Sequence, residues 1–328
     1  MEPGKQRKPS LRQRLLMLLA GRTTSLGDAI FSRLTLLFAL SVVGLLVAMV
    51  VFLNIDAVPA MRKFGVGFLA SSSWNAVTDE FGALPAIYGT LVSTAIALVL
   101  AIPISLGASI FLAELAPRWI RGPASFLIEM LASIPSVIIG LWGLFVLVPF
   151  VRSPVETFLG GHASWIPLFK GPPFGVGFLA AGIILAIMII PIITATSRDV
   201  IRAVPQSQRE AMVALGATRW EVINGAVLPY CRSGLLGSVI LGMGRALGET
   251  MAVTMVIGNG YVVSSSLFSP GNNIASKIAN EFAEASGGAF VGSLVELALI
   301  LLAISLIVNI LARLLVWRIT RGVRQTVE

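Results

Sequence analysis

This 328-residue chain has few charged side chains. It also has few cysteines and histidines, the side chains that most often bind transition metals. Only 12 % of its residues are charged, and it has one cysteine, Cys231, and one histidine, His162. A single cysteine excludes a disulfide within the chain, and His162 has no partner residue at metal-ligand spacing. No Gly-x-x-x-x-Gly-Lys-Ser/Thr sequence occurs, so the chain lacks the phosphate-binding loop of an ATPase. We therefore expect no catalytic residue, no metal site and no cofactor here.

Apolar residues, in contrast, are abundant. They make up 56 % of the chain, and the mean hydropathy is +0.90, which leaves too little polar surface to cover a soluble domain of this size. Six runs are long enough to cross a hydrocarbon core of about 30 Å. They lack the alternation of barrel strands, which predicts an all-α membrane protein. The predicted spans are 31–54, 88–114, 124–150, 176–197, 234–258 and 291–317.

The basic residues are unevenly distributed between the predicted loops. If both termini are cytoplasmic, 18 of the 24 lysines and arginines lie inside, five lie outside and Arg245 lies within a span, as the positive-inside rule requires. The net charge of +8 then reflects topology and attraction to anionic lipid, and we expect no nucleic-acid binding. The predicted organisation is a basic cytoplasmic segment (1–30), a six-helix domain (31–317) containing a cytoplasmic loop (198–233), and a cytoplasmic tail (318–328).

The cytoplasmic loop carries unusually strong helix signals for a connection between two spans. Pro205 suits a first helical position, and Gly216 suits the left-handed conformation that ends a helix. Thr218 and Glu221 have the spacing of a capping box, which predicts a second short helix from Thr218 to about Val227. We expect Pro229 to break that helix. The sequence thus predicts a helix-turn-helix with a glycine at the turn.

The same loop resembles the coupling loop of ABC importer permeases. The residues on that pattern are Glu210, Ala211, Gly216, Leu228 and Pro229, while Met212 and Ala226 replace an alanine and an isoleucine. The resemblance implies that the loop docks into a groove on a separate ATPase subunit. The alternative is a DNA-binding helix-turn-helix, but such a motif needs a basic face, and the arginines of this loop are scattered and offset by glutamates.

Two charged residues fall inside the fifth predicted span. Arg245 lies near its middle and Glu249 one turn further outward, so on a continuous helix they would share a face. A charge at the bilayer centre is costly, which requires both side chains to face protein or water. One interpretation is a structural ion pair. The other is that Arg245 lines an anion path and Glu249 holds its guanidinium in place, since arginine donors suit phosphate-like oxygens.

Further segments narrow the resemblance to phosphate-specific ABC importer permeases. These segments are 74–91, 103–107, 113–117 and 244–252. The resemblance implies a bacterial inner-membrane subunit that pairs with a homologous second permease, two copies of a cytoplasmic ATPase and an external phosphate-binding protein. It also implies that Arg245 and Glu249 take part in phosphate transport.

Other transporter classes remain as alternatives. A related importer for another oxyanion would have a similar sequence. A secondary transporter would carry its own ion-coupling site, but no clear inverted repeat and no intramembrane aspartate are evident. A passive channel would not need a structured cytoplasmic loop.

Overall fold

A computed structural model describes residues 26–324 of the chain. Most of the predicted basic segment 1–30 and the last four residues of the predicted tail therefore lie outside the described residues. Within 26–324 the structure is mostly helical, with six helices long and apolar enough to cross a membrane. The all-α class and the number of spans are confirmed.

We number the helices in chain order and give their bounds once. They are α1 (Leu26–Phe64), α2 (Leu84–Leu115), α3 (Arg118–Ala132), α4 (Ser136–His162), α5 (Phe178–Arg202), α6 (Gln206–Ala214), α7 (Arg219–Leu247), α8 (Met251–Val256), α9 (Ile274–Glu281) and α10 (Gly288–Arg324). Short helical turns lie at Gly67–Ala70 and Pro167–Phe169. The membrane-length helices are α1, α2, α4, α5, α7 and α10.

The described chain falls into two compact units that divide within α1, after Phe52. The first unit contains the beginning of α1, whose apolar side chains are exposed. The second unit begins at Leu53 and contains every other element. It includes an antiparallel hairpin of β1 (Trp74–Asn75) and β2 (Glu80–Phe81), with Trp74 opposite Phe81.

Helix α5 forms the centre of the second unit. Its side chains are the most buried of the six membrane-length helices, and α2 and α7 approach it closely at glycines. A Cβ atom added at Gly182 would lie 2.4 Å from Ile96 of α2, and one added at Gly242 of α7 would lie 2.5 Å from Ile193. Small residues thus allow close contact between helices, as in other membrane bundles.

The second unit has two distinguishable ends. Tyr88 and Phe178, at the starts of α2 and α5, have ring centroids 5.6 Å apart, and further along both helices the Ser105 hydroxyl donates to the Ile190 carbonyl, so these helices run in the same direction. Glu114, at the end of α2, pairs with Arg209 of α6. We call the side of the hairpin and α9 the hairpin end, and the side of α6 and the start of α7 the coupling end.

Two of the predicted spans are interrupted in the structure. The third was predicted at 124–150, but α3 ends at Ala132 and α4 begins at Ser136. Pro135 causes this break, because a proline disfavours helical geometry in the residue before it and has no N–H to donate. The fifth was predicted at 234–258, but α7 spans Arg219–Leu247 and a separate helix, α8, follows.

The prediction that Pro229 ends a short second helix is wrong. Helix α7 continues through this proline to Leu247. Residues Ile223–Val227 form a π-helical turn, in which the Leu228 N–H donates to the Ile223 carbonyl. The wider turn places Pro229 at the beginning of the following α-helical stretch, where a missing N–H is tolerated.

Candidate transport path and coupling surface

The fifth membrane segment is interrupted next to its charged pair. Helix α7 ends at Leu247 and α8 begins at Met251, with Gly248, Glu249 and Thr250 between them. The hydrogen bonds of this last turn are long, for the Gly248 N–H reaches the Gly244 carbonyl at 3.4 Å. The expectation that Arg245 and Glu249 lie on one continuous helix is therefore wrong, because Glu249 lies beyond the helix end.

Arg245 and Glu249 nevertheless form an ion pair. Arg245 Nη2 lies 3.4 Å from Glu249 Oε2, and the side chain of Glu249 is 5 % exposed, whereas that of Arg245 is 49 % exposed. The other carboxylate oxygen of Glu249 accepts a hydrogen bond from the Ala252 N–H at 3.5 Å. A buried carboxylate thus holds one side of a guanidinium whose other side is accessible. Such a guanidinium can donate hydrogen bonds to an anion.

Arg245 lines an open cleft of about 570 Å³ between α5, α7 and α10. A Cβ atom added at Gly244, beside it, would have no heavy atom of a neighbouring segment within 4 Å in the described part of the chain. Gly244 therefore leaves space, whereas Gly242 serves helix packing. The other lining residues are Ile192, Gly237, Ile240, Leu241, Asn309 and Arg313.

Helices α6 and α7 are joined by a turn at Gly216 at the coupling end. Gly216, with φ +84°, follows α6, which confirms its left-handed conformation. Its N–H donates to the Val213 carbonyl and the Ala217 N–H donates to the Met212 carbonyl, the pattern of a Schellman turn. Helix α6 begins at Gln206, so Pro205 is its N-cap and not its first helical residue, a shift of one position.

The predicted capping box at the start of α7 is confirmed. Glu221 Oε2 accepts a hydrogen bond from the Thr218 N–H at 2.7 Å, and Thr218 Oγ1 accepts one from the Glu221 N–H at 3.4 Å. These bonds satisfy two N–H groups that a helix start leaves without partners. They fix the direction in which α7 leaves the turn.

The helices around this turn expose polar and apolar side chains together. Of the five predicted coupling residues, Glu210, Ala211, Gly216 and Pro229 are exposed and Leu228 is half-buried. Three large apolar side chains are also exposed here, Val213, Leu215 and Trp220. Met212, Leu215 and Trp220 line an open cleft of about 620 Å³ beside Gly216. An exposed apolar patch of this kind is typical of a protein-binding surface.

Comparison with known proteins identifies the family. Residues 105–321, which include every predicted site residue, match the family described as the inner membrane component of binding-protein-dependent transport systems. The chain belongs to this family. With its six apolar helices, it is a multi-pass inner-membrane permease that acts with a binding protein.

Individual relatives agree with this assignment. The chain is 47 % identical over 302 residues to the "Phosphate transport system permease protein PstC" of Mesorhizobium japonicum, covering 91 % of this chain and 92 % of that protein. It is 48 % identical over 301 residues to the protein of the same name in Haemophilus influenzae, covering 90 % and 95 %. A solved bacterial alginate ABC transporter has the same fold, with a TM-score of 0.54 at 16 % identity, over 89 % of this chain and 97 % of that chain.

One charged residue of this permease has a clear role that sequence reasoning did not find. The guanidinium of Arg209 lies 2.7 Å from Glu114 Oε1 and donates to the backbone carbonyls of Ile201 and Val204. Arg209 thereby fastens α6 to the ends of α2 and α5. Its partner Glu114 is 95 positions away in sequence, so no local pattern could indicate the pair.

The sixth membrane segment also contributes polar residues that sequence reasoning missed. Asn309 and Arg313 of α10 line the same cleft as Arg245. These two residues are four positions apart within an apolar run, which places both on one helix face. This spacing could have indicated them from the sequence. The Asn309 side-chain amide donates to the Ser305 carbonyl at 2.8 Å, so its own helix holds it in place.

Proposed function

We propose that this chain is a membrane permease subunit of an ATP-driven importer of inorganic phosphate, and that it forms the translocation path together with a homologous second permease. The observation that carries the proposal is the pairing of a half-exposed Arg245 with a buried Glu249 on an open cleft. The phosphate transport named for its relatives supports the choice of substrate.

Arg245 would substitute for part of the hydration that phosphate loses in the path. Transfer of an ion away from water is strongly unfavourable unless fixed groups take over its hydrogen bonds. The forked guanidinium can form two parallel hydrogen bonds to a tetrahedral oxyanion. Arginine alone would retain the anion, and conduction requires weak enough binding for release. Glu249, 3.4 Å from the guanidinium, would lower the positive field and set the orientation of Arg245.

The coupling end would receive the energy of ATP hydrolysis from a partner. The chain lacks a phosphate-binding loop of its own, and the surface around Gly216 is exposed and partly apolar. We propose that one of two cytoplasmic ATPase copies docks there, with Glu210, Ala211, Gly216, Leu228 and Pro229 as the coupling residues. The Arg209 clamp would transmit movement of α6 to α2 and α5.

We propose that the coupling end lies in the cytoplasm and the hairpin end outside. Arg198, Arg202, Arg209 and Arg219 are all at the coupling end, which the positive-inside rule assigns to the cytoplasm. With six spans, both termini would then be cytoplasmic, on the side where basic residues of the sequence would attract anionic lipid. An external phosphate-binding protein would dock at the hairpin end.

The test is uptake of labelled phosphate by proteoliposomes that contain this chain with its second permease, ATPase and binding protein. We expect uptake that needs enclosed ATP and the binding protein, and that excess unlabelled phosphate abolishes. Vesicles without the binding protein are the matched control. Uptake of sulfate or molybdate in preference to phosphate would indicate another oxyanion importer. Phosphate uptake driven by an ion gradient without ATP would contradict the proposal and indicate a secondary transporter.

A further inference from the structure

Helix α9 makes a direct contact with the interruption of the fifth membrane segment. Asn273, immediately before α9, is buried, and its side-chain amide donates to the backbone carbonyl of Glu249 at 3.5 Å. The side-chain oxygen of Asn273 accepts from the Ser276 N–H at 2.6 Å and caps α9. One side chain therefore joins the start of α9 to the backbone of the residue that holds Arg245.

The start of α9 is also fixed against α2. The Ile274 N–H donates to Thr90 Oγ1 at 3.0 Å. A Cβ atom added at Gly89 would lie only 1.9 Å from the Asn272 carbonyl oxygen, so the backbone before α9 lies directly on α2 at a position that admits only glycine. These contacts leave the start of α9 little freedom to shift.

A buried lysine holds the rest of α9. Lys277 has a side chain that is 8 % exposed, and its ammonium pairs with Glu281 on the next turn. The same ammonium lies 4.7 Å from the ring centroid of Trp74 and 4.4 Å from that of Tyr261, within the range of cation–π attraction. Trp74 Nε1 donates to Glu281, and the Tyr261 hydroxyl donates to the Gly82 carbonyl. We call Trp74, Tyr261, Lys277 and Glu281 the lysine cluster.

The lysine cluster joins three parts of the hairpin end: β1, the segment after α8 and α9 itself. Burial lowers the pKa of the Lys277 ammonium below its usual range, while the pairing with Glu281 opposes that shift. Removing one member of such a pair leaves the other buried and uncompensated, which is strongly unfavourable. The cluster is thus a firm attachment of α9 at the end opposite to the coupling surface.

We propose that α9 is a strut that positions Glu249, with Asn273 as the positioning residue at its start and the lysine cluster as its attachment at the hairpin end. Glu249 needs such support because it lies between two helices, where the regular helical hydrogen bonds are interrupted. The inference rests on the proposed function, in which Glu249 sets the orientation of Arg245. Because electrostatic attraction depends on distance, a displaced carboxylate would change the field at the guanidinium.

The first test replaces Asn273 by serine in the complete importer. Serine keeps an oxygen that can cap α9 but removes the amide that donates to Glu249. We expect a roughly two- to tenfold loss of phosphate uptake, the range for one buried hydrogen bond, with normal assembly. Hydrogen exchange should accelerate in residues 248–256. The matched control is Ala279→Ser, which introduces the same serine at an exposed position of the same helix, and it should change neither measurement.

A double-mutant cycle separates positioning from general structural damage. If Asn273 acts through Glu249, Asn273→Ser should have a smaller effect on uptake in a Glu249→Gln background than in the wild type. Equal effects in both backgrounds would contradict the strut. If Asn273→Ser prevents assembly, Lys277→Met replaces it, since this change loosens the other end of α9. Lys277→Met should accelerate exchange in 248–256, and Lys277→Arg, which keeps the charge, should restore the protection.

The outcomes distinguish this inference from the proposed function. Normal uptake and exchange in Asn273→Ser, with impaired uptake in Glu249→Gln, would overturn the strut and leave the phosphate path intact. Normal uptake in both variants would instead overturn the role of Glu249 itself. Accelerated exchange in 248–256 without any change in uptake would show that Asn273 holds the backbone but does not position Glu249 for transport, and would also overturn the proposal.

Discussion

Replacement of Gly216 by valine tests the coupling turn through its backbone alone. Gly216 has φ +84°, and a Cβ atom added there would have no heavy atom of another segment within 4 Å among the described residues. A side chain at this position therefore meets no steric obstacle from the rest of the fold. Within this chain, the strain of the substitution therefore comes from the left-handed backbone conformation, and the asparagine variant below controls for the presence of a side chain on the docking surface.

The expected magnitude follows from that conformation. A non-glycine residue in the left-handed region costs about 1–2 kcal/mol, which corresponds to a factor of roughly 5–30 in the population of the turn. For valine the cost is at the upper end of this range, because a β-branched residue rarely adopts positive φ. Relief of the strain would break the bonds from the Gly216 and Ala217 N–H groups to the end of α6. Helix α6 would then leave its orientation relative to α7.

The assay compares ATP hydrolysis and phosphate uptake in the reconstituted importer. We expect Gly216→Val to lower uptake several-fold and to weaken the stimulation of ATP hydrolysis by the binding protein, while the six-helix domain assembles normally. Gly216→Asn should be nearly normal, because asparagine tolerates the left-handed region. Gly122→Ala is a second control, at a glycine of α3 with open space, no positive φ and a position outside the cleft that Arg245 lines. Normal uptake in the valine variant, or equal losses with valine and asparagine, would refute the reasoning.

Three further predictions concern the clamp, the packing and the topology. Arg209→Gln should leave Glu114 mostly buried without its cation, at a cost of about 1–3 kcal/mol, and accelerate hydrogen exchange in α6; unchanged exchange would contradict the clamp. Gly242→Ala should lower the melting temperature of the complex, since overpacking costs about 1–3 kcal/mol, whereas Gly244→Ala should not; equal melting temperatures would contradict the close packing. Single cysteines at three predicted outer sites should react with a membrane-impermeant thiol reagent added to spheroplasts, and protection of all three would contradict the orientation. Those sites, in a Cys231→Ser background, are Ser72, Ser164 and Ser265.

Much of the fold could be predicted because the governing signals are local. An apolar segment long enough to cross the hydrocarbon core almost always forms a membrane helix, which explains why the number of spans could be predicted. The capping box of Thr218 and Glu221 and the glycine turn at Gly216 involve residues only a few positions apart. Their geometry is therefore largely a property of the segment itself.

The features that could not be predicted depend on distant partners or on competing local effects. The apolar run resumes at Met251, so hydropathy over the whole segment gave no sign that the helix is interrupted. The backbone of the interruption is supported by Asn273, 24 positions beyond Glu249. Pro229 was expected to end a helix, but a π-helical turn before it accommodates the missing N–H. The pairing of Arg209 with Glu114 depends on how α2 and α6 meet in three dimensions.

The most direct test of the central claim is phosphate uptake by an Arg245→Gln variant in the fully assembled importer. Glutamine keeps hydrogen-bonding capacity but lacks the charge and the forked donors, so we expect a roughly tenfold to hundredfold loss of uptake, the range for one charge-assisted hydrogen bond. Arg245→Lys should be intermediate, because an ammonium lacks the bidentate geometry, and Arg152→Gln, at an exposed arginine outside the cleft, should be normal. Uptake at the wild-type rate in Arg245→Gln would contradict the account and reduce the pair with Glu249 to a structural ion pair.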